Sequence, residues 1–229
     1  MALIEETGWP RLLQFIGHEF RNAVGVVKGH ATMLRSGRGG PLTDMQRFMS
    51  SEIEKVADRM LVILADMSAV AAIESGRATF KLNPVDLRRV LSDAIASLPV
   101  DESRNAEVIL ASGNGAIQVS GDETRLKSAF TSIFWALRRE LASSDQLLVR
   151  SRKGEFRGSA AEWITVADPE QIEELETATP ETLTEFNEYR GGCGLSLAVA
   201  RRVIDGHGGA LWSPGQGTKA GAVVALPRS

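Results

Sequence analysis

Two apolar stripes, at residues 13–34 and 49–70, limit what this chain can fold into more than any other feature. Residues 8 to 75 read as helix with one interruption. In the first segment Leu13, Ile16, Phe20, Val24, Val27, Ala31 and Leu34 recur at steps of three or four. In the second, Met49, Ile53, Val56, Met60, Ile63, Met67 and Val70 alternate steps of four and three. That spacing puts one apolar face on each of two long amphipathic helices. The interruption, "SGRGGPL" at residues 36–42, holds three glycines and Pro41, which cannot continue a helix. Thr43 or Asp44 can cap the second helix. Long helices joined by so short a segment form an antiparallel hairpin. One hairpin hides its apolar surface on one side only, so the pattern predicts a homodimer in which two hairpins make a four-helix bundle.

After the connector "GRATFKLNPV" at 76–85 the periodicity changes. A helix is expected at 86–98 with Asp86 as its cap, then short strands at 106–111 and 116–119 and a helix at 122–142. Trp135 on that helix reads as core facing the sheet. Strands follow at 146–152 and 162–167, then an acidic, irregular run after Asp168, a helix at 194–206, and strands at 210–213 and 221–226. Mixed strands and helices predict one layer of helices on one sheet, an α/β sandwich. The expected organisation is therefore a helical domain at 1–75, the connector, and an α/β domain at 86–229.

Composition narrows the class. Hydrophobic residues make up 43% of the chain, enough for a packed core. A net charge of −3 argues against a nucleic-acid partner. The single cysteine, Cys193, excludes an internal disulfide and suits a reducing compartment. No apolar run reaches the roughly 18 residues of a membrane span, and the N-terminus lacks a secretory pattern. A cytoplasmic protein with no membrane segment is expected.

Two stretches carry chemistry. In "FIGHEFRNAVG" at 15–25, His18 falls on the outermost position of the first helix if Leu13 and Ile16 face the core. An imidazole there is wet, and its neutral form carries the lone pair that a nucleophilic nitrogen requires. The adjacent Glu19 can accept the other ring N–H and take up a proton during attack. In "RGGCGLSLAVARRVIDGHGGALW" at 190–212 a glycine cluster opens directly into a helix. Such a turn lets backbone N–H groups approach a phosphate, and the helix N-terminus favours its charge. Glycine clusters are also ordinary turns, so this signal is not specific by itself.

Taken in order, the segments resemble the transmitter region of a two-component sensor histidine kinase. "HEFRN" is similar to the phosphoacceptor box, and "GDETRLKSAF" at 121–130 to the start of the N box. "ITVAD", ending at Asp168, is similar to the first glycine box, "GGCGLSL" at 191–197 to the second, and "HGGALW" to the segment that follows. The resemblance implies a dimeric phosphoacceptor hairpin followed by a GHKL-type ATP-binding sandwich. It implies that His18 is phosphorylated, that Glu19 is its acid/base partner, and that Asn22 orients water for dephosphorylating a partner. That partner is a response-regulator receiver domain. It implies that Asp168 accepts the adenine amino group, and that Gly191, Gly192, Gly194 and Leu195 line the nucleotide phosphates. Arg139 falls on the family's basic position.

The sequence departs from the family where ATP and magnesium would bind. The metal-ligating asparagine of the N box is Ala136, and the preceding asparagine is Ser132. A methyl cannot ligate a hard cation, which needs oxygen. The first glycine box continues as "DPEQIEELE", placing Glu170 and Glu173 where phosphates need neutral or positive surroundings. Ser196 replaces a glycine of the second box, and Ala23 stands where a proline commonly follows the phosphoacceptor box. The acceptor half reads as whole and the donor half as degenerate. ATP-dependent autophosphorylation stays open at this point. The alternatives are an ATP-independent histidine phosphotransferase and a non-enzymatic scaffold that binds a response regulator.

Overall fold

Helix α1 (Gly8–Arg35) and helix α2 (Asp44–Glu74) form the hairpin, in a computed structural model describing residues 8–99, 106–112, 115–141, 144–190, 192–215 and 220–229. Thr43 starts α2: its hydroxyl accepts from the Gln46 backbone N–H and the Gln46 side chain accepts from the Thr43 N–H. These reciprocal bonds satisfy two of the amides that a helix start leaves unpaired.

The seam between α1 and α2 is built from small residues at steps of seven. Gly17, Val24 and Ala31 are buried on α1, and Ser50, Ala57, Leu64 and Ala71 on α2. A Cβ at Gly17 would sit 3.3 Å from both Met67 Cε and Ser68 Oγ, which is how close the helices run. Ser50 donates to the Ala31 carbonyl at 2.7 Å, so this buried hydroxyl is satisfied across the seam.

Of the large residues read as one stripe on α2, Met67 packs against this seam, but five others do not enter it. Met49, Ile53, Val56, Met60 and Ile63 are exposed, with Phe20, Val27 and Leu34 on α1. A seven-residue repeat holds two columns, and the small-residue column faces the sister helix. Leu64 is the largest member of the internal cluster, with Val24 and Ala57. Leu64→Ala is expected to cost about 2–3 kcal/mol, read as a lower urea midpoint for the hairpin, because it opens a cavity that small neighbours cannot fill.

The chain divides between Ala78 and Thr79, and the second unit is built on a six-stranded sheet. Its elements are β1 (Asn83–Asp86), α3 (Leu87–Ala96), β2 (Glu107–Leu110), β3 (Gln118–Gly121), α4 (Glu123–Glu140), β4 (Gln146–Phe156) and β5 (Ser159–Ala167). They continue as α5 (Ile172–Glu176), β6 (Thr184–Glu185), α6 (Ser196–Gly206), β7 (Ala210–Ser213) and β8 (Gly221–Pro227). The sheet order is β2-β4-β5-β8-β7-β6, with β2 parallel to β4 and the other pairs antiparallel. Strands β1 and β3 form a separate antiparallel pair. Asp86 caps α3 as expected, accepting from the Arg88 and Ile117 backbone N–H groups at 3.1 Å each.

Three differences from the sequence reading have physical causes. Strands β4 and β5 run past 152 and start before 162, because Arg157 and Gly158 both adopt positive φ, 53° and 77°, and close a two-residue hairpin. The acidic run after Asp168 contains α5, whose Ile172 and Leu175 are buried three residues apart against Ala161, Trp163, Val223 and Ala225. The sheet is thus covered locally on the face opposite the helix layer. Trp135 is not core: it is half-buried, with the Arg138 and Arg139 guanidinium carbons 4.7 and 5.8 Å from its ring centroid. Phe130, Ile133, Phe134, Ala136 and Leu137 fill the buried side of α4 instead.

Candidate functional site: an exposed histidine and a clasped glycine turn

His18 lies on the outer surface of α1 with its side chain 67% exposed, and Glu19 beside it is 60% exposed. Its Nδ1 is 3.3 Å from Asn22 Nδ2, one turn along the helix, and 3.8 Å from Glu19 Oε1. The amide at i+4 therefore reaches this ring nitrogen, and the carboxylate at i+1 lies just beyond hydrogen-bond distance of it. Nε2 has no partner among the described residues.

The tautomer decides which nitrogen can attack. If the Asn22 amide donates to Nδ1, the ring proton sits on Nε2 and that nitrogen is not nucleophilic. If Nδ1 carries the proton, Nε2 presents its lone pair to solvent. A carboxylate accepting from Nδ1–H selects that second form, and Glu19 needs to close by about 1 Å to do so. Three side chains on one exposed turn can thus accept a phosphoryl group, fix the ring tautomer and handle the released proton.

The second site gathers on the sheet side of the other unit. Asp168, at the end of β5, is 2% exposed. Its Oδ1 accepts from the Glu170 and Gln171 backbone N–H groups at 3.0 Å each, and Oδ2 has no hydrogen bond among the described residues. Gly192 and Gly194 take φ of 62° and 63°, left-handed conformations that favour glycine, and Leu195 immediately precedes α6. Gly191 lies outside the described residues. Arg139 Nη1 is 3.4 Å from the Gly192 carbonyl. Arg139, Gly192, Gly194 and Leu195 therefore come together at one corner.

Arg190 and Glu140, which the sequence did not single out, tie that corner shut. The Arg190 guanidinium reaches the Glu140 carboxylate with Nε at 3.0 and 2.8 Å from its two oxygens, and Nη2 makes a further contact. Nη1 donates to Ser213 Oγ at 3.4 Å and to the Gly221 carbonyl at 3.3 Å. Gly221 pairs with Ala167 in the β5–β8 ladder, one residue before Asp168. Both charged side chains are mostly buried, 16% and 23% exposed. Residues 50 apart of opposite sign carry no local spacing signal, so the sequence could not pair them.

The preceding segment is held as firmly. Phe186 is 2% exposed, Thr184 Oγ1 donates to the Pro214 carbonyl at 2.9 Å, and Arg202 pairs with Glu188 at 2.9 Å. Burial pushes the Cys193 thiol above its ordinary pKa, outweighing the nearby Arg139, so it is no thiolate nucleophile at neutral pH.

The residues present do not fit magnesium. Ala136 is fully buried and offers only a methyl. Ser132 Oγ donates back to the Ser128 carbonyl at 3.1 Å. The carboxylate one turn beyond Ala136, Glu140, is occupied by Arg190. Glu170 and Glu173 are exposed, so water screens the repulsion that the sequence suggested for them.

Residues 11–76, which hold His18, Glu19 and Asn22, match the His Kinase A (phospho-acceptor) domain. This chain carries a HisKA domain. The chain as a whole is similar to sensor histidine kinases and has the two-part makeup of their transmitter region. It is 24% identical over 225 residues to sensor protein GacS of Pseudomonas syringae pv. syringae, covering 93% of this chain and 24% of that protein. It is 25% identical over 205 residues to the circadian input-output histidine kinase CikA of Synechococcus elongatus, covering 86% of this chain and 27% of CikA. It therefore spans about a quarter of the length of these relatives. Among solved structures, full-length ShkA in complex with AMPPNP matches with a TM-score of 0.70 at 21% identity, over 96% of this chain and 46% of ShkA. The Acinetobacter baumannii histidine kinase AdeS matches with a TM-score of 0.54 at 14% identity, over 93% of this chain and 98% of AdeS. These likenesses establish the fold: a HisKA helical hairpin followed by the mixed-sheet α/β domain of histidine kinases. No described helix is long and apolar enough to cross a membrane.

Proposed function

We propose that the chain is a dimeric two-component signalling protein that carries a phosphoryl group on His18 and exchanges it with a response-regulator receiver domain in the cytoplasm. The observation that carries this reading is the His18–Glu19–Asn22 constellation. An accessible imidazole has an amide 3.3 Å and a carboxylate 3.8 Å from one of its nitrogens, and its other nitrogen has no partner among the described residues. A purely structural helix surface has no need of all three. Nε2 attacks the phosphorus, Glu19 accepts the Nδ1 proton as charge builds on the ring, and the phosphorylated ring stays exposed for a receiver to approach.

The hairpin's outer face supports the dimer. An apolar groove of about 490 Å³ is lined by Phe20, Val24, Val27, Ile53, Val56 and Met60. Large exposed apolar side chains along both helices are what a second hairpin would bury to complete a four-helix bundle.

Phosphoramidate, a small donor that needs no nucleotide, tests the acceptor directly. Acid-labile, base-stable phosphate is expected on the wild-type chain and none on His18→Ala. Equal labelling of both proteins would remove His18 from the reaction. Asn22→Ala is expected to leave loading within about threefold but to slow loss of phosphate from a charged partner receiver at least tenfold. An unchanged rate of that loss would deny Asn22 its water-orienting role.

A further inference from the structure

We infer that the phosphoryl donor to His18 is a carboxylic–phosphoric anhydride, the aspartyl phosphate of a charged receiver domain, and not ATP. The inference rests on the reading of His18 as a phosphoryl carrier and names its substrate. Three observations point the same way. The family's metal position is a buried methyl at Ala136, with Ser132 turned back onto its own helix. Arg190 clasps Glu140, Ser213 and Gly221, drawing the end of α4, the approach to the glycine turn, β7 and β8 into one closed corner. The turn itself offers a carbonyl, that of Gly192, to Arg139. That basic side chain is therefore engaged by the protein.

The energetics of the corner explain why it stays closed. The clasp is a paired, multiply hydrogen-bonded guanidinium and carboxylate, both mostly buried. A polyphosphate that drew on Arg190 would have to displace its carboxylate and leave it buried and unpaired, which is costly. Without an oxygen ligand at 136 there is no magnesium to offset that charge. Thr184, Phe186, Glu188 and Arg190 are thus held by the protein's own side chains.

An acyl phosphate requires none of this machinery. His18 Nε2 forms a bond to phosphorus as the phosphorus–oxygen bond of the aspartyl phosphate breaks, and the aspartate leaves as a carboxylate with the electron pair. The Nδ1 proton passes to Glu19 and then to solvent. The step is balanced without a co-reactant and runs in reverse when an uncharged receiver accepts. Its donor docks at the exposed face of α1, where the histidine already is.

The test uses the full chain in parallel arms, with His18→Ala as the blank. One arm holds γ-labelled ATP and Mg²⁺. A second holds the full set of the source organism's receiver domains, each charged with labelled acetyl phosphate. A third holds phosphoramidate. Label on His18 from at least one receiver, with ATP at least a hundredfold lower, is the expected result. Label from ATP alone at a comparable rate overturns the donor assignment and leaves His18 as the carrier. Loading by phosphoramidate with none from any receiver also overturns the donor assignment. No loading in any arm removes the carrier reading itself. A binding readout stands beside activity: a fluorescent ATP analogue is expected to show no saturable signal with Mg²⁺ up to millimolar nucleotide. Deuterium uptake at 184–190 is expected to be unchanged by Mg-ATP and at least tenfold faster in Arg190→Ala. Saturable binding, or protection of that segment by ATP, contradicts the closed corner.

Discussion

Replacing Gly209 with alanine is expected to lower the stability of the α/β unit by at least about 3 kcal/mol. Gly209 lies at the turn between α6 and β7, where the chain passes close over β8. A Cβ there would fall inside van der Waals contact of the Ala225 carbonyl oxygen, with Leu226 Cδ2 at 2.9 Å and Ile204 Cγ2 at 3.1 Å. Ala225 is fully buried in a strand paired on both sides, so its backbone cannot step away without disturbing the β5–β8 and β7–β8 ladders. Overpacking against backbone is the severe form of this error. For a unit of this size, that loss corresponds to a fall in melting temperature of about 6–12 °C. A midpoint within 1 °C of wild type would show that the turn relaxes at no cost.

The second large effect is expected at His207, a buried histidine outside the phosphoacceptor hairpin. Its Nε2 accepts from the Asp122 backbone N–H at 2.8 Å and its Nδ1 donates to the Val203 carbonyl at 2.6 Å. Its ring meets Phe80 edge-on at 5.1 Å. Both ring nitrogens are committed, so the neutral tautomer is fixed. Asp122 in turn caps α4, accepting from the Arg125 N–H at 3.1 Å, and its other oxygen accepts from Lys81 N–H at 3.1 Å. His207→Leu leaves the Asp122 amide buried without an acceptor, a loss of about 2–3 kcal/mol.

The same contacts set a pH dependence. Burial depresses the His207 pKa, outweighing the bond to Val203 and the attraction of Asp122. The unfolded chain therefore binds a proton more readily than the folded one. This contribution to stability is complete above the unfolded value of about 6.5 and is lost as pH falls below it toward the folded value. Burial opposes ionisation of Asp122, but the backbone bonds from Lys81 and Arg125 win and lower its pKa. Its contribution is complete above about 3.9 and is lost as pH falls below that. Denaturation midpoints of wild type and His207→Leu, measured between pH 7.5 and 5, are expected to converge as pH falls. Parallel curves would remove His207 as the titrating group.

How much of this was legible in the sequence follows from which interactions are local. The hairpin was readable because helix periodicity and the glycine–proline break are properties of adjacent residues. Which column of the seven-residue repeat faces the sister helix was not. Gly17, Ser50 and Ala57 are too small to register as hydrophobic, yet they set the closest approach. The caps at Thr43 and Asp86 follow from residue type at a helix start. The hairpin at Arg157–Gly158 was hidden because arginine rarely takes positive φ and its polar surroundings read as a loop. The phosphoacceptor constellation lies within one helical turn and is legible whole. The clasp joins Arg190, in a loop, to Glu140, Ser213 and Gly221 in three elements, and only the folded sheet brings them together.

Strand β4 has a further consequence for how copies of this protein meet. β2 pairs with only Gln146 to Val149 of its eleven residues, and among the described residues no strand pairs with that side of the farther half. An uncovered strand of that length is a template for a neighbour's strand. Arg150, Arg152, Lys153 and Glu155 crowd that half with charge, and Gly154 within it admits the Trp163 ring against the backbone. The charges keep the edge from recruiting a second sheet. This arginine- and lysine-rich run therefore guards the edge of the α/β unit against strand addition. Neutralising it would turn a free rim into a seed for ordered aggregation.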